Sequence, residues 1–308
     1  MPNATSRGFK IGYVAESTPG TTPSSALQII RTTGGGGTAA PASTTSPEIH
    51  TDEITDIIRT GMEGSGNIPG VVSMDTLDDF IEAILGGTWT SDAVQAGTTK
   101  RTFTIEDQYT DAGIYVPWKY CLIEKLAVNF ALGSVPTFSV DYVPGVVPTA
   151  AATTSAGTGA ATAANTNAVM SPVSSIQVAQ EGGSGTLLAG APGITAFGIE
   201  IMRPVIKQPQ LGTVSMASVD PDQLEVKGTI SVYLASKALF DKLLGDTATS
   251  FSFTTGGASS DSYNWLMSAA KLLDGGPQQV SKGQPVLQTY NFQASLHASN
   301  SSLKVTRS

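Results

Sequence analysis

The stretch GNIPGVVSMDTLDDFIEAILGGTW, from Gly66 to Trp89, predicts a β-strand that runs directly into a short helix. Its first part contains β-branched residues, and its second part repeats apolar residues at helical spacing. Asp75 or Thr76 is placed to cap the N-terminus of the helix, and Gly86 is placed to end it within three turns. The residues expected on one packed face are Leu77, Phe80, Ile81, Ile84 and Leu85.

A similar block, KGTISVYLASKALFDKLLGDT, occurs from Lys227 to Thr247. The packed face of its helix is expected to consist of Leu239, Phe240, Leu243 and Leu244. Other segments of the two halves match in the same order along the chain. They are VAESTPGT (14–21) with VAQEGGSGT (178–186), LQIIRT (27–32) with IEIMRP (199–204), Leu126, Val128 and Phe130 with Phe292, Ala294 and Leu296, and FSVDY (138–142) with LKVTR (303–307).

These ordered matches predict that the chain carries two tandem copies of one unit. The first copy spans residues 1–145, including an N-terminal arm and a loop at 34–47, and the second copy spans 172–308. Residues 146–171, rich in Ala, Thr and Gly, lack periodicity and predict a solvated linker or loop. The alternating apolar residues and the low content of charged residues predict a mainly β (β-rich α+β) fold class, with one short helix in each copy.

The overall composition disfavours several classes of protein. The 308 residues include 17 basic and 25 acidic ones, and no cluster of Lys and Arg offers the positive surface that tight DNA binding needs. The single cysteine, Cys121, excludes an internal disulfide and lies in an apolar run, where a packed thiol is expected. No stretch has the character of a signal peptide or a membrane span, so we expect a protein kept in the cytoplasm or in a particle assembled there.

Two further regions carry local predictions. Residues 34–47, GGGGTAAPASTTSP, have almost nothing to bury and predict a mobile loop that makes its contacts later. Glu48–Ile58 predicts a strand, and Arg59–Asn67 a loop before the returning strand, which together form a long hairpin. Another hairpin is expected across residues 126–142.

Few residues suggest chemistry. Glu48, His50 and Asp52 alternate on the expected strand and have the spacing of metal ligands, but a solvated strand face explains them as well. The run Gly34–Gly37 is not followed by the Lys of a P-loop, and no Ser lies in a catalytic Gly-x-Ser-x-Gly elbow. Neither an enzyme nor a bound cofactor is expected.

Arg31 and Arg203 each follow the end of an apolar strand, at matched positions of the two halves. Such a pair suits a charged contact to a neighbouring subunit. The alternative is that both are ordinary strand ends that reach solvent.

Several segments resemble the tail tube proteins of long-tailed bacteriophages. They are IGYVAESTPGTTPSSALQIIRTT (11–33), EIHTDEITDIIRTGMEGSGNIPGVVSMDTLDDFIEAILGGTW (48–89), RTFTIED (101–107) and GSVPTFSVDYVPG (133–145). They cover most of residues 8–145, and the second half fits the family more loosely. The resemblance implies a small β-sandwich or barrel flanked by a helix, whose subunits form rings that stack into a hollow tube.

The resemblance also implies partners and a location. The main partner is the protein itself, and the others are the tape-measure protein that fills the tube, the tail terminator, and baseplate or distal tail proteins. DNA passes through the tube transiently and without sequence-specific contacts, and no membrane insertion is expected. The protein is then part of the virion tail, assembled in the host cytoplasm.

Because tubes of this family have sixfold character, two units in each chain predict trimeric rings with pseudo-sixfold symmetry. An acidic chain suggests a lumen that repels the phosphates of DNA. The polar positions of the paired hairpins indicate which side chains line that lumen. They are Asn129, Thr137, Ser139 and Asp141 in the first copy, and Asn291, Gln293 and Ser295 in the second.

Three other readings remain open. The chain can be another tail component with a related fold, such as a tail terminator, hub or distal tail protein. It can be a non-viral carbohydrate-binding or surface β protein, although a signal peptide and surface aromatic clusters are not evident. An enzyme would need catalytic groups that the sequence does not display.

Overall fold

The strand-to-helix stretch belongs to a mainly β protein, which confirms the predicted fold class. The computed structural model describes residues 3–50, 52–170, 177–181, 186–187, 193–213, 215–256, 262–278 and 282–308. Its helices are α1 (Asp78–Leu85) and α2 (Ala238–Leu244). Its strands are β1 (Phe9–Glu16), β2 (Gln28–Ile29), β3 (Gly36–Thr45), β4 (Ile57–Val71), β5 (Ala93–Gln95), β6 (Thr102–Tyr109), β7 (Ile114–Ala131), β8 (Thr137–Val146), β9 (Gln177–Glu181), β10 (Thr186–Leu187), β11 (Ile194–Met202), β12 (Val205–Gln208), β13 (Ser218–Pro221), β14 (Glu225–Tyr233), β15 (Thr249–Gly256), β16 (Ser262–Pro277), β17 (Leu287–Ala294) and β18 (Lys304–Arg307).

The same order of antiparallel strands occurs in both halves of the chain. Strands of the first half lie in the order β2-β1-β6-β7-β8-β4-β3, and strands of the second half in the order β10-β9-β15-β16-β17-β14-β11. In both halves a helix follows the fourth strand of this set along the chain. Each half also has a glycine opposite an aromatic residue of the neighbouring strand: Gly66 lies opposite Tyr142, and Gly228 lies opposite Phe292. In both cases the aromatic ring occupies the space that a Cβ would need.

This strand order corrects part of the sequence alignment of the halves. The match of residues 14–21 with 178–186 places β1 with β9, as the strand order does, although residues 182–185 lie outside the described residues. The match of 27–32 with 199–204 is wrong, because β11 occupies the place of β3 and not of β2. The two hairpin matches are each shifted by one strand: β7 corresponds to β16, and β8 to β17. Alternating patterns look alike at any strand, so they do not fix which strand is matched.

The two halves share one sheet through the long strand β7. One edge of β7 pairs with β8, and the other edge pairs first with β6 and then, from Lys125 to Ala131, with β11 of the second half. A second connection is made near the C-terminus, where β18 pairs with both β16 and β5. The first half and the second half are therefore joined by backbone hydrogen bonds at two places.

The region between residues 34 and 71 differs from its prediction. Gly36–Thr45 is not a loop but strand β3, and Arg59–Asn67 lies inside strand β4, which pairs with β3 along its length. The connection between these strands is 46–56, where a strand was expected. Most of β3 is exposed, so backbone hydrogen bonds to β4 hold it in place and not the burial of apolar side chains. For this reason the pattern of apolar residues did not predict the strand.

Helix α1 ends as predicted but begins differently. Gly86 has a φ of 65° and its amide donates to the carbonyls of Glu82 and Ala83, which terminates the helix. The residue before the helix is Leu77, with no side-chain cap, so the expected capping by Asp75 or Thr76 is wrong. Thr76 instead shares a hydrogen bond with Ser73.

The packed faces of the two helices differ. The apolar residues of α1 are fully buried, because α1 lies against both β7 and β5. In α2, which lies against β16, only Leu239 is buried, and Phe240 and Leu243 are partly buried. Leu244 was expected in the packed face but is 70% exposed. It lies farthest around the helix from Leu239, beyond the side that β16 covers.

The Ala/Thr/Gly-rich residues 146–171 were expected to be a solvated linker, but their described part lies against the first half. The amide of Ile29 donates to Thr162, and the amide of Met170 donates to Val72. The side chains of Asn165 and Asn167 both donate to the carbonyl of Met74 at 3.1 Å. Hydrogen bonds therefore hold a segment that has little apolar surface to bury. No helix of membrane-spanning length and hydropathy occurs in the described ranges.

Candidate assembly surfaces

One face of the shared sheet is polar across both halves. It spans the strands in the order β16-β17-β14-β11-β7-β8-β4-β3, and the opposite face of these strands, apart from the exposed β3, carries buried apolar residues. Residues predicted to line a lumen lie on the polar face, because side chains alternate along a strand. Those within strands are Asn129, Thr137, Ser139, Asp141, Asn291 and Gln293, and Ser295 follows directly after β17.

Side-chain hydrogen bonds cross the strands of the polar face in both halves. In the first half the amide of Asn67 donates to the Ser139 hydroxyl at 2.7 Å and also to the carboxylate of Asp141. In the second half Thr229 donates to Asn291 at 2.8 Å, and Asn291 donates to Asp274 at 2.7 Å. These bonds fix the polar groups in place on the sheet.

Three lysines of this face are paired with carboxylates. They are Lys125 with Glu200, Lys227 with Glu225, and Lys271 with Asp246. The carboxylates of Asp141 and Asp274 have amide partners instead of cations. The groups named here therefore leave a small excess of negative charge, and none of these lysines is free to hold a phosphate.

The polar face has a depression where the two halves meet. A shallow depression follows the β7–β11 pairing, and it is lined by Lys125, Asn129, Gly198, Glu200 and Thr229 among others. The small residues Ala127 and Gly198 leave this part of the sheet open. A polar sheet face with such a depression suits the inner wall of a barrel segment.

Helix α1 is held at its C-terminal end by Arg203 of the second half. The guanidinium donates to the carbonyl of Ile84 at 3.4 Å, to that of Gly97 at 3.2 Å and to that of Asp222 at 3.2 Å. Burial lowers the pKa of this arginine. A cation suits the negative end of the helix dipole.

The arginines were expected to contact a neighbouring subunit, and the structure gives both of them partners inside the chain. Arg31 donates to the carbonyl of Asn167 at 2.7 Å. The carbonyls at a helix end and in a loop lacking regular pairing need donors, which long arginine side chains can supply.

At the N-terminal end of α1, the Asp78 carboxylate accepts hydrogen bonds from the Arg307 guanidinium and from the Tyr263 hydroxyl. Arg307 also pairs with Asp92 at 3.2 Å and lies 4.7 Å from the centre of the Trp89 ring system. Burial raises the pKa of Asp78, and the bonds from Tyr263 and Arg307 act against that rise. Sequence reasoning missed this cluster, because no local pattern connects residue 78 with residues 263 and 307.

Strands β3 and β16 are among those that keep an open edge in the described part of the chain. Strand β3 pairs with β4 on one edge only, and β16 has no partner beyond Ala270 on the edge that it shares with β15. Near the start of β3 the Gly37 amide donates to Asp107 Oδ2 at 2.8 Å, and Trp118 Nε1 donates to the same oxygen at 2.9 Å. Burial raises the pKa of Asp107, against these two hydrogen bonds.

The far end of the β3–β4 ribbon exposes apolar side chains. Ile49 is 98% exposed, and Ile54, Ile57 and Ile58 are also exposed. The metal candidates Glu48, His50 and Asp52 lie in this connection and not on a strand, and Glu48 accepts a hydrogen bond from Thr55 at 2.6 Å. The described residues contain no group of three His, Cys, Asp or Glu side chains that could hold a metal ion. Cys121 is free and buried.

These surfaces are of the kind used for assembly, and comparison with known proteins agrees. The model of a family described as phage tail tube protein matches residues 8–294. No curated protein matches the chain.

Proposed function

The chain belongs to the phage tail tube protein family, and from this premise we propose that it forms trimeric rings that stack into a hollow tail tube through which DNA is delivered. The single observation that carries the proposal is the β7–β11 pairing, which joins two similarly ordered sets of strands into one sheet. The family is one of structural proteins, so the proposed role requires no catalytic group.

The number of chains in a ring follows from the repeated strand order. If residues 1–145 and 172–308 are two copies of one tube unit, each chain supplies two of the six positions around the axis. Three chains then complete a ring with pseudo-sixfold symmetry. The two copies are held together by the shared sheet and by the contacts that Arg203 and Arg307 make with α1.

The polar face of the shared sheet supplies the lumen in this proposal. It carries a shallow depression, its Lys125, Lys227 and Lys271 are paired with carboxylates, and its Asp141 and Asp274 accept hydrogen bonds from amides. Cations that are paired with carboxylates bind the phosphates of DNA weakly, and unpaired carboxylates repel them. DNA can then move along the tube without being retained.

The β3–β4 ribbon is proposed to contact the adjacent ring. Its tip exposes Ile49, Ile54, Ile57 and Ile58, which the chain itself leaves uncovered. Burying four isoleucines favours association, by about 1.5–3 kcal/mol for each side chain that is fully buried. The tape-measure protein, the tail terminator and distal tail or baseplate proteins are the other proposed partners, with assembly in the host cytoplasm.

Electron microscopy and mass measurement of the purified protein test this proposal. We expect long tubes, and single rings with three times the chain mass of 31.7 kDa. Six chains in a ring would contradict the duplication and leave the tube intact. Single closed rings that never elongate would indicate a terminator, hub or distal tail protein instead.

A further inference from the structure

We propose that the open edge of β3 in one copy pairs with the open part of β16, Lys271–Pro277, in the next copy. This contact repeats, between chains, the contact that β11 makes with β7 inside the chain. The inference rests on the proposed tube function and adds to it the two surfaces that close the ring.

The internal junction provides the template. Strand β11 uses one edge for β14 and the other for β7, with Ile201 opposite Leu126 and Met202 opposite Lys125. Strand β7 receives β11 on the edge that it shares with β6, just beyond the end of β6. In the repeated strand order, β3 corresponds to β11 and β16 corresponds to β7. The two strands that lack a partner are therefore the counterparts of two strands that pair.

The registers allow the template to be transferred to residues. Because Gly66 of β4 corresponds to Gly228 of β14, the register of β11 with β14 can be applied to β3 with β4. Ala39 of β3 then takes the position that Ile201 has in β11. The pairing of β7 with β8 is irregular between Ile123 and Lys125, and that of β16 with β17 between Leu272 and Asp274. Matching these irregularities places Gly275 where Leu126 lies. The expected pairs are Ala39 with Gly275 and Ala40 with Asp274.

The amides at this edge indicate where the pairing is centred. The Gln278 amide donates to Leu287 of β17, so the nitrogen of Pro277 faces the open edge, where proline has no hydrogen to donate. Gly37, which would lie opposite Pro277, already donates to Asp107. The hydrogen bonds between copies are therefore expected around Ala39 and Gly275. Proline and a shortened ladder also discourage random strand addition at a free edge.

The helices provide a second observation that points to the same neighbour. Helix α1 lies at the boundary between the halves, where β5 and the side chain of Arg203 cover it from one side, and its Leu85 is fully buried. Helix α2 has the same place in the second half, next to the open edge of β16, and its Leu244 is 70% exposed. Strand β5 belongs to the first half, so Arg203 is the contact that the second half adds at the end of α1. In the proposed pairing, the first half of the next copy lies beside the exposed end of α2 in the same way.

A second copy of this chain is the occupant that fits both edges. Each chain has one β3 edge and one β16 edge, which are different and complementary, so the contact is head-to-tail. A head-to-tail contact closes into a ring when the rotation per chain divides a full turn. A shallow depression of the polar face follows the internal junction, and the same junction between copies would continue it around the ring.

Disulfide trapping tests the register directly. The variant Ala40→Cys/Asp274→Cys places two thiols at a pair that is not hydrogen-bonded, where Cα atoms lie about 4.5 Å apart, within the range of a disulfide. The matched control is Lys125→Cys/Met202→Cys, the corresponding pair of the internal junction. The native Cys121 is fully buried, and its pKa is raised by burial, so it stays silent in both variants.

On oxidation of assembled tubes, we expect the 40/274 variant to give covalent dimers and closed trimers, and the 125/202 control to give only an internal link. A mixture of the two single variants should give dimers and nothing larger. Tubes that keep free thiols at 40 and 274 while the control is oxidised would overturn the inference without touching the tube function. A wild-type chain that forms no ring or tube would instead refute the proposed function, and the inference with it.

If the double variant does not assemble, hydrogen exchange of the wild-type chain decides the question. The amides of Ala39 and Gly275, which face the open edges, should exchange at least about tenfold more slowly in the tube than in the monomer. Amides of β11 and of residues 125–131, which are already paired, should not change. Unchanged exchange at both edges would overturn the inference.

Discussion

Leu85 and Leu244 close the apolar faces of α1 and α2 at the same position, yet Leu85 is fully buried and Leu244 is 70% exposed. The difference gives a matched pair of substitutions. Leu85→Ala is expected to lower the free energy of unfolding by about 2–5 kcal/mol, because it leaves a cavity. Leu244→Ala is expected to change it by no more than about 0.5 kcal/mol. Urea denaturation of both variants measures the contrast.

A substitution at residue 244 is expected to affect assembly, although it has little effect on the stability of the monomer. Leu244→Asp should keep the monomer folded and reduce the fraction of protein that sediments as tubes, because a charge is introduced where the next copy is proposed to lie. The control is the exposed Leu211, which lies along the chain between β12 and β13, a pair of strands outside the shared sheet. Leu211→Asp should leave tube yield nearer to the wild-type value. Normal tube yield in Leu244→Asp would contradict a buried α2.

Arg203 is expected to stabilise the contact between the halves. Arg203→Ala leaves the carbonyls of Ile84 and Gly97 without their charged donor and should lower the free energy of unfolding by about 1–3 kcal/mol. Lys237→Ala is the control, since that side chain is 86% exposed and its pair with Asp241 is worth about 0.5 kcal/mol at most. Equal effects of the two substitutions in thermal or urea unfolding would argue against a role for Arg203 at the helix end.

Asp107 gives a prediction for pH. Its folded-state pKa is raised by burial, so its contribution to stability is fully present below the ordinary value of 3.8 and is lost as pH rises through the raised value. The stability of the wild type relative to Asp107→Asn should therefore fall as pH rises above the ordinary value of 3.8. Urea titrations at several pH values measure this difference.

Asp111 is the control of opposite sign. Hydrogen bonds from Thr5 lower the pKa of this carboxyl, so its contribution is present above 3.8 and is lost as pH falls through the lowered value. The wild type should lose stability relative to Asp111→Asn as pH decreases into that range. The same direction of change for both variants would show that the Asp107 effect is not due to its burial.

Gly66 and Gly228 should resist substitution for the same reason. A Cβ at either position would overlap the ring opposite it, Tyr142 or Phe292, so Gly66→Ala and Gly228→Ala are each expected to cost about 1–3 kcal/mol of unfolding free energy. Gly61 in the same strand as Gly66 has nothing within 4 Å of its added Cβ, and Gly61→Ala is the control. Thermal unfolding of the three variants tests whether the two halves correspond. A loss of stability in only one of Gly66→Ala and Gly228→Ala would argue against that correspondence.

The helix, its terminating glycine and the mainly β class were predictable because they depend on local periodicity and on one backbone conformation at Gly86. The polar face was predictable for a similar reason, since side chains alternate along each strand. Residues such as Asn129 and Asp141 could thus be placed together before their neighbours were known, although the sequence does not say which face turns toward a lumen.

Other features depend on contacts that leave no local signal. Strand β3 is held by its ladder to β4 and buries little, so its composition predicted a loop. The partners of Asp78 come from residues 185 and 229 positions away along the chain. The alignment of the halves slipped by a strand at the hairpins, because period-two patterns carry no information about strand order.

The pairing of Ala131 with Ala196 has a consequence for how a tube begins to grow. These residues belong to one polypeptide, so their junction forms at an effective concentration set by the connecting chain and not by the amount of protein in the cell. In the proposed ring of six units, half of the junctions would then be made before any two molecules meet. Nucleation of that ring would require an encounter of three molecules where an unduplicated subunit would require six, and rings would start at a lower concentration of protein.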